Sequence, residues 1–338
     1  MLTENQWVQL GDMARKQGVL GIMLDGIDKL EKTRYGLTLK LQADLKLEWI
    51  GEVLQIEQMN RQHTLVMKDL AEKWSQGGCR VMVMKGQVNG LLYPHPSHRS
   101  TGDIDCYLFD DYARGNEIAR SNDAEVDEGW YKHSVICYQG ETIENHQYFV
   151  LTREGRASKK LQKELKEALN VDKWEYYPDS IILLPPIQWN AMFLTYHACA
   201  HFLKEGLFLK QVLDWAMFLQ KEEARIDWEK FYAFCERYKF RRFVDAITAI
   251  CVKDLGVKVN NPAITTESPY AEKILYSTLY DDDYVHVAGI SVWKGRWLLI
   301  RGLFKHRWKY NEIYHQSLWK QLWWYFVGFL FHTEKTDN

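Results

Sequence analysis

The sequence predicts an α+β protein: a mixed sheet with flanking helices over residues 79–155, an N-terminal helical segment over 1–78 and a C-terminal helical domain over 156–338. Three observations carry this reading. Apolar residues recur at helical spacing before residue 78 and beyond residue 156. Short apolar runs punctuated by glycine and polar turns fill the interval between. Within that interval Asp103 and Asp105 flank a single apolar residue, the alternation of a strand. A chain of 338 residues with 46% hydrophobic content is long enough for two cores.

From Thr3 to about Leu30, and from about Leu39 to Ser75, the helical spacing runs through Trp49, Val53, Ile56, Met59, His63 and Val66, which predicts an N-terminal helical hairpin. Gly77-Gly78 ends it, because glycine adopts the backbone angles a helix terminus needs. Val81-Met82-Val83-Met84 then suits a buried strand, and Gly86 turns the chain into a short helix through Leu92. A proline-containing polar loop, Tyr93 to Gly102, leads to a second strand at about Asp103 to Phe109. A helix is expected over Tyr112 to Ser121, followed by a hairpin of Trp130–Tyr138 and Glu141–Leu151 turning at Gln139-Gly140. Beyond it, Ala157–Asn170 reads as a solvated amphipathic helix, and Pro185-Pro186 opens a long helix closed by Gly206. Further helices are expected over Leu207–Gln220, Asp227–Tyr238, Arg242–Leu255 and Ser268–Tyr280, with two more at the carboxyl end.

The balance of 43 basic and 45 acidic residues gives a formal charge of -2, so no global attraction to nucleic acid or to an anionic membrane is expected. The six cysteines never form a C-x-x-C pair and read as small buried hydrophobes of a reducing cytoplasm. The amino terminus lacks the pattern of a secretory signal, and the most apolar run, Leu322–Phe331, is about half the roughly 20 residues that a spanning helix needs. A cytoplasmic protein is therefore expected. Trp293, Trp297, Ile300, Phe304 and Trp308 form one stripe near Lys294, Arg301, Lys305 and Lys309, which reads as a packed helix with basic side chains reaching to water and leaves room for a protein partner.

The chemistry concentrates at Met84-Lys85-Gly86-Gln87 and Gly102-Asp103-Ile104-Asp105. Side chains two apart on a strand share a face, so Asp103 and Asp105 project together and repel one another unless a hard divalent cation neutralises them. Phosphoryl and nucleotidyl transfer uses such a pair, because metal polarises the phosphate under attack and stabilises the departing pyrophosphate. The candidate third carboxylate is Glu144, which shares a face with His146 and Tyr148 while Ile143 and Phe149 take the other; it is read as a metal ligand or as the general base. Lys85 and Gly86 occupy a strand-to-helix turn suited to phosphate, and Arg99, in the loop before the aspartates, is within reach of a triphosphate. His197 and His201, one helical turn apart, are read as a structural pair or as lining the cleft rather than as a zinc site, since Ala198 stands where a zinc hydrolase carries glutamate. Asp214 with Lys210 is read as a helix-face ion pair.

The run MKGQVNGLLYPHPSHRSTGDIDCYLF, with His133, the segment Ile143-Glu-Asn-His146 and later His197-x-x-x-His201, resembles a bacterial family of uncharacterised nucleotidyltransferases within the DNA-polymerase-β-type superfamily. The resemblance is strong over the central module and weak over the helical half. It implies a polymerase-β-type core, Mg2+ or Mn2+, ATP or another NTP as substrate, and transfer of NMP to an acceptor. It implies a metal site at Asp103, Asp105 and Glu144, and nucleotide contacts from Lys85, Gly86, Gln87, Arg99 and His146. Gln87 departs from the superfamily pattern, standing where serine or a second glycine is usual, and the gap to the aspartates is longer than usual. A catalytically silent nucleotide-binding or protein-interaction member of the same fold is the alternative. A nucleic-acid-modifying enzyme guided by the basic aromatic carboxyl end is less favoured.

Overall fold

The computed structural model describes residues 2–33, 39, 41–152, 155–204, 206–281, 301–302, 304–314, 319 and 323. Its α+β fold is the one the sequence predicts. At the amino end the expected single helix is two, α1 (Glu4–Lys16) and α2 (Leu20–Glu31). The break falls at Gly18, whose φ of +67° no continuing helix accommodates. A capping box between Thr3 and Gln6 starts α1. The long helix α3 (Ala43–Gln76) ends at Gly77 and Gly78, with φ +84° at Gly78. Its stripe changes partner along its length: Trp49 and Val53 pack with α1 and α2, whereas Val66, Met67, Leu70 and Trp74 pack on the sheet. Met59, between the two contacts, stays 38% exposed.

The sheet contains β1 (Met82–Met84), β2 (Ile104–Tyr107), β3 (Glu125–Asp127), β4 (His133–Tyr138) and β5 (Glu141–His146), in the order β1-β2-β5-β4-β3. β2 and β5 run parallel, and the other neighbours are antiparallel. The short helix α4 (Gly86–Gly90) follows β1, and α5 (Tyr112–Ser121) takes its expected span between β2 and β3. The β4–β5 hairpin turns at Gln139 (φ 49°) and Gly140 (φ 83°), a two-residue connection with both φ values positive, which matches the twist of paired strands. β3 was not anticipated. Three residues, two of them charged, are too few to display a period.

The two faces of the sheet meet different helices. Val83, Ile104, Cys106, Ile136 and Ile143 cluster with the second half of α3. Met82, Met84 and Tyr107 cluster with α6 (Arg156–Glu167) and α7 (Ile187–Lys204) through Phe149, Leu161, Leu165, Trp189 and Phe193. The apolar core continues into α8 (Leu209–Glu222), α9 (Trp228–Arg237), α10 (Arg241–Lys253) and α11 (Ala271–Tyr280).

All six cysteines are free thiols, and five are buried as expected. Cys137 is exposed, because it alternates with the inward residues Ile136 and Tyr138 on a hairpin covered on one side. Among the described residues no helix is long and apolar enough to cross a membrane. Trp293, Lys294, Trp297 and Ile300 of the aromatic stripe, and all of Leu322–Phe331 except Trp323, lie outside the described residues. Trp308 packs edge-on against Phe202 and lies under the ammonium of Lys273.

Candidate active site

β1 ends at Met84, and the chain swings into α4 through Lys85 at φ 54° and ψ -118°. That conformation is costly for a residue with a Cβ, by about 1–3 kcal/mol. The positive φ falls on Lys85 and not on Gly86, where an added Cβ would meet nothing nearer than 3.6 Å. The turn carries the Lys85 ammonium to 2.5 Å from Asp105 Oδ1. Comparing Lys85→Gly with Lys85→Ala separates backbone from charge, since both lose the amine. The glycine variant is expected to be more stable by about 1 kcal/mol or more, the reverse of the usual order. Denaturant unfolding of the two variants checks this, and equal stabilities would place the strain elsewhere.

The parallel register sets Asp105 directly opposite Glu144. His146 Nε2 lies 2.8 Å from Asp105 Oδ1 and 3.1 Å from Glu144 Oε2, while its Nδ1 faces the Tyr148 carbonyl at 3.3 Å. His133, cross-strand from His146 on β4, approaches Glu144 Oε1 at 3.4 Å. Asp105, His133 and His146 are each buried. β5 is held from behind by Asn145, whose amide donates to Asn116 Oδ1 at 2.8 Å, an oxygen that also accepts from Ser134 Oγ at 2.7 Å. This polar anchor on the opposite face fixes the strand that presents Glu144 and His146.

Asp103 stands just before β2, at its entrance, and not within the strand as expected. Desolvation by the surrounding protein raises its carboxyl above the ordinary aspartate range, and Glu144 and Asp105 add repulsion. Burial pushes Asp105 the same way, but the Lys85 ammonium and the hydrogen bond from His146 outweigh it and hold that carboxyl well below the usual range. Asp103, Asp105 and Glu144 thus share one electrostatic neighbourhood. Three carboxyl oxygen donors around Lys85, one of them destabilised as an anion, fit a divalent cation.

His197 on the helical half lies within electrostatic reach of Lys85 and Asp105. Burial holds His197 of α7 well below its ordinary pKa and therefore neutral; the positive charge of Lys85 adds to this, and Asp105 opposes it. His201 Nε2 lies 3.0 Å from His197 Nε2. Gln87 is buried, and among the described residues neither polar atom of its amide has a hydrogen-bond partner.

Arg99 sits behind this cleft. It donates from Nε and Nη2 to the two oxygens of Asp214 at 2.7 and 2.6 Å, and both side chains are almost fully buried. Tyr93 Oη donates to the same carboxylate at 2.8 Å and Asn89 Nδ2 at 3.1 Å. The expected helix-face Lys210–Asp214 pair is replaced by this cluster, because Asp214 points inward from α8 and is met there by Arg99. Lys210 is itself partly buried, and burial and the Arg99 charge disfavour its ammonium. Three segments, α4, the loop before β2 and α8, meet at Asp214. Sequence reasoning did not foresee this cluster, nor the place of His133 beside Glu144.

A family model described as "Uncharacterised nucleotidyltransferase" matches residues 3–256. The chain belongs to this family. As a member of the uncharacterised nucleotidyltransferases it carries the match across α1–α3, the sheet and α6–α10, so the family unit includes helices on both sides of the cleft. No curated protein and no solved structure matches the chain.

Proposed function

We propose that the chain is a divalent-metal-dependent nucleotidyltransferase that transfers NMP from an NTP to a hydroxyl or phosphate acceptor. The observation that carries this reading is the placement of Asp105 opposite Glu144 on parallel strands, with Asp103 beside them and Lys85 reaching across from the strand-to-helix turn. Asp103, Asp105 and Glu144 would hold Mg2+ or Mn2+, which when bound polarises the α-phosphate and offsets charge on the leaving pyrophosphate. Lys85, released from Asp105, is placed to neutralise phosphate charge, and the turn through Gly86 and the unpartnered amide of Gln87 supply further polar contacts. His146 orients Asp105 and Glu144 through its ring nitrogen. Neutral His197 adds a polar ring near the metal carboxylates without repelling a cation. Arg99, bound to Asp214, positions the loop that delivers Asp103 and is not itself assigned to the triphosphate.

The Lys85–Asp105 contact also favours a second reading, a catalytically silent nucleotide-binding member in which the lysine permanently takes the cation's place. Incubation with each α-32P-labelled NTP and Mg2+ or Mn2+, followed by detection of labelled acceptor or released pyrophosphate, separates the two. Turnover that falls about 100-fold or more in Glu144→Gln is expected. Nucleotide binding without turnover under every NTP and metal supports the silent reading instead.

A further inference from the structure

The geometry points to a mixed nitrogen–oxygen metal site formed by His133, Glu144 and His146, with Asp105 at its edge, that selects a transition-metal divalent ion such as Mn2+, Co2+ or Zn2+ over Mg2+. The inference rests on the nucleotidyltransferase reading for what the site serves, but not for whether it binds metal.

His146 is the central donor of the cluster. Its Nδ1 faces the Tyr148 carbonyl, an acceptor only, at 3.3 Å. Nε2 then confronts carboxylate oxygens of both Asp105 and Glu144, at 2.8 and 3.1 Å. Nε2 is thus the nitrogen that a cation held between the two carboxylates would take, in place of the hydrogen bond it makes to Asp105 in the metal-free fold. A ring nitrogen directed at a metal while the other donates to a backbone carbonyl is the usual setting of a metal-binding histidine. The second imidazole, His133, reaches the other oxygen of Glu144 at 3.4 Å, so each oxygen of that carboxylate faces a different ring.

The separations also fit. Ligand atoms of His133, Glu144 and His146 lie within 4.8 Å of one another. With metal–ligand bonds of about 2.1 Å, adjacent ligands stand about 3.0 Å apart in an octahedral shell and about 3.4 Å apart in a tetrahedral one. The 2.8 and 3.1 Å from His146 Nε2 to Asp105 and Glu144 fall around these values, and His133 meets the other oxygen of Glu144 at 3.4 Å. Both histidines are almost fully buried and are paired across β4 and β5, so the backbone register holds the donors in place. Two imidazoles with one or two carboxylates are the donor set of Mn, Fe, Co or Zn sites, whereas Mg2+ prefers oxygen alone.

The test uses the full chain stripped with a chelator, with no nucleotide and no turnover measurement, so its outcome is independent of the activity assay. Co2+ is titrated and its ligand-field absorption recorded, and bound Mn2+ is examined by electron spin-echo modulation for directly coordinated nitrogen. Expected are a saturable Co2+ band, nitrogen coupling on Mn2+, and displacement by Mg2+ only at a large excess. His133→Gln and His146→Gln should each weaken Co2+ binding by about 100-fold or more, since even changes behind a ligand cost about 10–100-fold. Absence of nitrogen coupling in the wild-type protein, or Mg2+ displacing Co2+ at equal concentration, overturns the proposal. The wild-type spectra decide the matter even where a histidine variant fails to fold.

Discussion

Asp105→Asn is expected to lower turnover about 1000-fold or more, equivalent to about 4 kcal/mol of lost transition-state stabilisation. Asp105 faces Glu144, Lys85 and His146 at once, so its charge organises every other group in the cleft. Asp103→Asn should also remove turnover, yet the two variants should part in metal-free stability. Ionised Asp103 is disfavoured in the fold by desolvation, Glu144 and Asp105, so its neutral replacement should melt higher than wild type. Asp105→Asn strips Lys85 and His146 of their shared anion and should melt lower. The pH dependence has opposite signs. The depressed Asp105 contributes stability above the unfolded aspartate pKa and loses it as pH falls, whereas protonation of the raised Asp103 restores stability as pH falls through its folded value. Steady-state pyrophosphate release, and calorimetric melting in chelator across a pH series, check these statements. Unchanged turnover in both variants would end the enzymatic reading.

Asp214→Ala should destabilise the protein by about 3–5 kcal/mol, because it leaves the Arg99 guanidinium buried without its anion. Tyr93 and Asn89 lose an acceptor at the same time. The paired change Arg99→Met with Asp214→Leu should recover a large part of that loss, since no charge is then stranded. Urea unfolding of the single and double variants measures the coupling. A loss below about 1 kcal/mol in Asp214→Ala would mean that water reaches the pair and that the clamp holds little.

Much of the site was legible because β-strand alternation is short-range. Asp103 and Asp105 declared themselves through Ile104, and Glu144 and His146 through Ile143. The Gln139-Gly140 turn held more than was drawn from it. A two-residue hairpin pairing Tyr138 with Glu141 puts His133 opposite His146 by counting alone. Which strand lies beside β2 was not legible, because the parallel β2–β5 pairing joins segments 39 residues apart (Ile104 with Ile143) and depends on the whole sheet order. The partner of Asp214 was hidden for the same reason, since Arg99 is remote in the chain and a lysine one helical turn away offered a local explanation. The backbone strain at Lys85 left no mark, as glycine next door suggested the wrong residue.

The aromatic slab beneath the cleft bears on how a substrate enters. Tyr107, Phe149, Trp189 and Phe193 pack ring against ring at centroid distances of 4.5, 5.1 and 4.6 Å, joining the sheet to α7. Prying those elements apart would wet four large rings together with Met82 and Met84, at about 1.5–3 kcal/mol for each side chain. The total is comparable with the whole stability of an ordinary domain. A clam-like opening at this seam is therefore too costly to accompany each catalytic cycle. Adaptation to a substrate then falls to tethered groups such as the Lys85 side chain rather than to movement between the sheet and α7.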